Sequence, residues 1–268
     1  MPASTVIVSL GDLLLDVIVR LEQPLAEGAD ANAVTRLGPG GQAANVAAWV
    51  AELGGRARFV GKRADDEAGE TAARALERYG VEVRGPVVEG RTGTIVSLVD
   101  VEGARTMASD RGVAPELRAD ELDASWLDGC EHLHLPGYSL LRSPIDGAAL
   151  AAAALAPRLS VDLSSWSAIR DFGPERFRAR LRELRPDVVF ANEDEERIIG
   201  GALPGCTWIV KRGARGASFD GVELPALPAQ ALDTTGAGDA LAAGYLVGGP
   251  ELALEAAARC VAQLGSMP

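Results

Sequence analysis

The chain has 268 residues, 47% hydrophobic and 24% charged, which is enough apolar material for a sizeable core and too much for a disordered chain. A net charge of -12 argues against a nucleic-acid footprint and against attraction to an anionic membrane surface. The three cysteines, Cys130, Cys206 and Cys260, are far apart and lack CxxC spacing, so they fit buried thiols in a reducing compartment rather than a disulfide frame or a zinc site.

The opening "MPASTVIVSLGDLLLDVIV" lacks the basic start of a secretion signal, and Asp12 interrupts its apolar run. No apolar stretch approaches the roughly 20 residues that span a bilayer, so the expectation is a soluble cytoplasmic protein. "TVIVSL" (5–10) is the continuous apolar run of a strand buried on both faces. "LLLDVIVRL" with "ANAVTRLG" suggests a hairpin. "GQAANVAAWVAELGG" places Ala43, Val46, Ala47, Val50 and Leu53 on one helical stripe that ends at Gly54. "ARFVGK" reads as a strand and "ETAARALERYG" as a helix. "TGTIVSLVDVEGARTMAS" reads as two strands joined at Glu102-Gly103. Strand and helix then alternate through "HLHL", "AALAAAALA", "LSVDL", "PERFRARLREL", "DVVFAN", "EDEERIIGG" and "TWIVK", and two closing helices follow, "AGDALAAGYLV" and "ELALEAAARCVAQL".

That alternation predicts a three-layer α/β fold around a mostly parallel sheet. The two strand pairs have no crossover helix. They fit either a small sheet over the carboxyl edge of the main one or a pair of ordinary edge strands.

The stretch "DTTGAGDALAAGY" (233–245) concentrates glycine beside Asp239. It is no P-loop, because the Gly61-Lys62 pair is followed by Arg63. It also lacks the third glycine of a dinucleotide fingerprint, having Leu241 there. Two readings stay open at this level. One is a helix start whose amides at 236–238 converge on an oxyanion, with Asp239 held ionised by the helix dipole; the other is a plain N-cap.

Taken together, "GPGGQAANVAA" (38–48), "VGKRADDEAG" (60–69), "NEDE" (192–195), "VKRGARGA" (210–217) and "DTTGAGDA" (233–240) resemble, in order and spacing, the motifs of the PfkB or ribokinase-like family of carbohydrate and nucleoside kinases. The resemblance implies a single domain over 1–268, with a β-sheet lid built from insertions near 13–37 and 91–109. It implies ATP and Mg²⁺ as partners in phosphoryl transfer to a sugar-like hydroxyl. Asp239 would be the catalytic base, and Gly236, Ala237 and Gly238 the anion hole. Asp12, Asp16, Gly40, Gly41 and Asn45 would bind the acceptor, and Asn192, Glu195, Lys211, Gly213, Gly216 and Thr235 would line the ATP site. Glu195 would reach Mg²⁺ through water, and Asp233 matches a position that holds a monovalent cation such as K⁺ in some members. The family also implies a homodimer through the lid. Within the resemblance, a nucleoside kinase and a non-catalytic sugar- or nucleotide-binding regulator are the alternatives.

Two departures stand out. Ala64 replaces a frequent glycine and is expected to restrict its turn, and the short C-terminal segment "QLGSMP" makes the base pocket the part expected to differ. Asn192 and Glu195 also have the spacing of a capping box. Asp162, ending a strand, is a candidate to approach phosphates or metal. His132 and His134 share a strand face but lack a third ligand, so packing is the favoured reading. Arg105 and Arg111, on or after the lid, are placed to touch substrate, with exposed arginine as the default reading, and the acidic runs at 65–70 and 193–196 are read as solvated helix starts.

Overall fold

A computed structural model describes residues 6–102 and 105–268. The first strand, β1 (Val6–Leu10), is buried along its whole length, as a strand covered on both faces requires. The chain then makes a hairpin of β2 (Leu14–Leu21) and β3 (Ala33–Gly40). Next come α1 (Gln42–Glu52), β4 (Arg56–Val60), the short β5 (Arg63–Ala64), α2 (Glu67–Arg78), β6 (Glu82–Arg84) and β7 (Val87–Val88). A second hairpin pairs β8 (Thr92–Val99) with β9 (Arg105–Gly112); its expected turn at Glu102-Gly103 lies partly outside the described residues, as does Thr5.

The rest of the chain alternates. β10 (Cys130–Pro136), α3 (Ile145–Leu155) and β11 (Leu159–Asp162) lead to α4 (Trp166–Phe172) and α5 (Pro174–Leu184). β12 (Val188–Asn192), α6 (Glu193–Ile199) and β13 (Thr207–Lys211) follow, then the short β14 (Ala217–Phe219) and β15 (Val222–Leu224). α7 (Ala237–Gly248) and α8 (Pro250–Val261) close the fold.

Among the described residues the main sheet runs β15-β14-β13-β12-β11-β10-β1-β4-β6, parallel except at β14 and β15. α1, α2, α7 and α8 cover one face and α3 to α6 the other. β1 serves both cores, sending Ile7 to the first and Val6, Val8 and Leu10 to the second. The two hairpins form a separate sheet, β3-β2-β8-β9, whose central pair is parallel. The choice left open by sequence is thus decided for one small sheet. Ala64 ends β5 opposite Val88 in extended backbone that any residue adopts, so its replacement of glycine restricts nothing.

The topology aims the site. β1 lies between β4 on one side and β10 on the other, so the crossovers part at its carboxyl end, where open α/β sheets form a crevice. Asp12 stands there. The carboxyl ends of β11, β12 and β13 deliver Asp162, Asn192 and Lys211 in a row, with Asn192 directly opposite Lys211.

Candidate active site

α7 begins at Ala237, after Gly236 in a left-handed conformation (φ 76°). A helix start leaves its first N–H groups without carbonyl partners inside the helix, and here the Ala237 amide makes only a long 3.4 Å contact to the Thr234 carbonyl. Any side chain at 236 would run into Ser266, 2.6 Å away. A Cβ on Gly238 would stand 3.3 Å from Lys211 Nζ, which puts an ammonium beside the open amides.

Asp239, in the first turn, is 9% exposed and accepts a 2.7 Å hydrogen bond from Asn45 Nδ2 in the first turn of α1. Burial pushes its pKa up to about 7; Asn45 opposes the shift, and the Asp162 carboxylate adds to it. Burial therefore works against the ionised form that a helix start favours. Asn45 Oδ1 in turn accepts from Ser266 Oγ at 3.0 Å, so both ends of the amide are engaged within the protein. Trp49 Nε1 donates to the Ser266 carbonyl at 2.9 Å.

Lys211 Nζ pairs with Asp162 Oδ2 at 2.6 Å, in a setting where Asp162 is wholly buried. Burial alone would lower the Lys211 pKa, but the Asp162 and Glu195 carboxylates outweigh it and hold the lysine charged. Asn192 and Glu195 form the capping box of α6: Asn192 Oδ1 accepts from the Asp194 and Glu195 amides, and the Glu195 carboxylate accepts from Asn192 N and Nδ2, each at 2.8 Å. Burial raises the Glu195 pKa.

On the other side of the turn, Asp12 is buried and pairs with Arg111, which also lies 4.1 Å from the centre of the Tyr138 ring. Burial raises the Asp12 pKa despite that guanidinium. Reading Arg111 as an exposed arginine is corrected here, since β9 carries it into the crevice. The Arg105 side chain lies outside the described ones. Asp16 on β2 reaches over β3, where a Cβ on Gly40 would fall 1.9 Å from its Oδ1. Gly41 turns the chain into α1 at φ 98°, with its missing Cβ only 2.3 Å from the Asp12 carbonyl oxygen. Asp233 braces the turn, its carboxylate accepting from Thr235 N (2.9 Å) and Gly265 N (3.0 Å).

Two cavities meet at this turn. One, about 490 Å³, is lined by Lys211, Gly213, Gly216, Leu227, Thr234, Ala237 and Gly238. The other, about 580 Å³, is lined by Asp12, Asp16, Gly41, Asn45, Arg111, Thr235, Gly236 and Asp239. Neighbouring residues of one turn thus face opposite compartments.

The description pfkB family carbohydrate kinase matches residues 4–267. The chain belongs to that family. An ATP-dependent ribose-1-phosphate kinase of Halopiger xanaduensis is 32% identical over 95% of this chain and 90% of its own. The crystal structure of adenosine kinase from Sinorhizobium meliloti superposes with a TM-score of 0.86 at 25% identity, covering 99% of this chain and 96% of that one. A putative ribokinase II from E. coli, in complex with ATP and Mg²⁺, gives 0.80 at 25% identity, covering 99% and 95%.

As a pfkB-family carbohydrate kinase, the protein has the fold and activity class expected from its motifs. Sequence reasoning underused Arg111 and passed over Tyr138, Gln42 and Ser266. Arg111 had a signal in its place after a cleft-side strand, whereas Ser266 had none, being 221 residues from the Asn45 it bonds. His132 and His134 prove to be packed residues. Burial lowers both pKa values to about 4, and His134 Nδ1 meets Ser160 Oγ at 3.0 Å. Among the described residues no group of three or more His, Cys, Asp or Glu side chains could hold a metal, and no helix is long and apolar enough to cross a membrane.

Proposed function

We propose that the protein transfers the γ-phosphoryl group of ATP to a hydroxyl of a sugar-like acceptor. The observation that carries this is the shared turn: Ala237 and Gly238 line one cavity while Gly236 and Asp239 line the other. ATP occupies the cavity of Gly213 and Gly216, its phosphates toward Lys211 and the open amides of 236–238. Asp239 takes the proton of the acceptor hydroxyl as its oxygen attacks phosphorus and the bond to ADP breaks. Amides and a lysine aimed at the transferring group supply the charge stabilisation this chemistry needs. Asn45 holds the Asp239 carboxylate toward the acceptor.

Mg²⁺ fits the Asp162 and Glu195 side. The donors there are hard carboxylate oxygens already accepting from Lys211 and Asn192, so an ion beside them would be reached through its own waters. Bound there with ATP, it supplies charge neutralisation. Asp233 and Thr235 offer oxygens to K⁺ beside the same turn. On this reading, replacing KCl with choline chloride lowers turnover, and unchanged turnover removes the cation from the account.

The acceptor cavity sets Asp12, Asp16, Asn45 and Arg111 beside Leu14, Ile95 and Met107, and its one aromatic ring, Tyr138, already carries Arg111, which favours a polyol over a nucleobase. The relatives differ in acceptor, ribose 1-phosphate for one and adenosine for another, so the choice rests on the cavity. The small sheet acts as a lid in this reading. Asp16, Ile95 and Ser109 face the acceptor cavity, and the alternate residues Leu37, Val17, Val96 and Ala108 form a row across the opposite face, suited to a second copy of the chain. An ATP-consuming enzyme with free cysteines belongs in the cytoplasm.

The test is ADP formation across a panel of sugars and nucleosides, with Asp239→Asn run in parallel. Turnover with a sugar that falls by about 10²–10⁴-fold in the variant is expected. Turnover only with nucleosides, or turnover indifferent to the variant, rejects the reading.

A further inference from the structure

A third cavity, about 500 Å³, adjoins the acceptor's and shares Asp12, Arg111 and Tyr138 with it. Arg142 and Arg176 complete a set of three guanidiniums along its walls, faced by Asp12 and Asp171. The acids are already matched: Asp12 pairs with Arg111, and Asp171 with Arg170. Arg142 and Arg176 enter no ion pair among the described residues. Arg176 is held 4.3 Å from the centre of the Phe172 ring, and the Arg142 charge is felt at Asp12.

A chain with net charge -12 thus turns two unmatched guanidiniums and a third, paired one onto a recess continuous with the place of its acceptor. The planar fork of arginine suits a phosphate or carboxylate, and its weak hydration makes it a better partner for an incoming anion than for water. Because Asp12 and Arg111 line both cavities, one small molecule can lie across them.

We propose that the acceptor is an anionic sugar, a phosphate ester or a sugar acid. Its charged group sits among Arg111, Arg142 and Arg176, and a hydroxyl at its other end reaches Asp239. The proposal rests on the kinase reading above and names the substrate class within it.

Matched neutral and anionic sugars test it: ribose against ribose 1-phosphate and ribose 5-phosphate, fructose against fructose 6-phosphate, glucose against gluconate. The expected result is a kcat/KM about tenfold or more higher for an anionic member than for its neutral partner, with phosphate esters and gluconate separating the two sources of charge. In the double variant Arg142→Gln/Arg176→Gln the KM for that anionic sugar rises about tenfold or more. Both arginines are exposed, so the variant is expected to melt as the parent does. A neutral sugar used as well as its anionic partner, or a KM unmoved by the double variant, overturns the proposal and leaves the kinase intact. If no sugar turns over, the kinase reading fails, and calorimetry with inorganic phosphate decides the site by itself. Binding about tenfold weaker in the double variant keeps an anion site there; equal binding, or none to the parent, removes it.

Discussion

The proton-accepting role proposed for Asp239 meets a burial that resists its charge. With a pKa near 7 in place of the ordinary 3.8, it binds a proton in the folded state over a pH range where the unfolded chain has released one. Its contribution to stability therefore falls as pH rises from about 4 to about 7, and the full cost remains above that. Asparagine in its place keeps the oxygen that accepts from Asn45 and carries no charge. Asp239→Asn should therefore melt at the same temperature as the parent near pH 4 and higher than the parent at pH 8, while its turnover collapses. A variant that melts lower at pH 8 would refute the burial argument. A base must also be deprotonated to act, so kcat/KM of the parent should rise along an acid limb with an apparent pKa near 7. That tension was not visible in "GAGD" itself. The motif shows a helix start and an acid, but the burial that raises the pKa, the like charge of Asp162 that adds to it and the Asn45 and Lys211 groups that oppose it come from elements distant in sequence.

Elements supply the geometry through their ends. The turn at Gly236 and the start of α1 at Gly41 both need left-handed backbone, and both lie against other chain segments: Ser266 in one case, the Asp12 carbonyl in the other. Gly236→Ala should cost about 1–3 kcal/mol of stability and most of the turnover, because the new methyl must push residue 266 away from Asn45. Gly238→Ala lies in ordinary helical backbone, so it should fold like the parent and lose activity by crowding Lys211. Equal melting of all three proteins would mean that the C-terminal segment yields freely. The long elements were legible because their patterns were unambiguous, a buried apolar run for β1 and a strict stripe for α1. α4 was missed because seven residues, WSAIRDF, bury only Ile169 and show no period. β14 and β15 were missed because three residues each are too few for alternation to register.

For the whole molecule, α7 packs the turn before it against one face of the main sheet, and the small sheet rests on α2 through β2 and β3 and is tied to the main body by Thr92 to Asp66 and Arg111 to Asp12. Closing such a sheet over the acceptor would exclude water from the phosphoryl group. If its outer row pairs with a second copy, Leu37→Asp should convert a dimer to a monomer by light scattering. Leu37 is 63% exposed in the single chain, so folding should be spared. A monomeric parent at working concentrations would end the dimer proposal. The sheet's existence was readable from two helix-free strand pairs. Their union into one sheet was expected too, but the parallel pairing of β2 with β8 was not legible, because it joins segments separated by two helices and several strands.

The carboxylate of Asp16 occupies the space a side chain at residue 40 would need, with a separation of 1.9 Å to the missing Cβ. Any side chain at 40 therefore obliges the Asp16 carboxylate to turn out of its present place. Across diverging descendants of this fold, an acid at 16 should travel with glycine at 40. A lineage that acquires a larger residue at 40 should carry its acid at 16 turned aside or replaced, and where Asp16 binds the acceptor as proposed its preference should change as well.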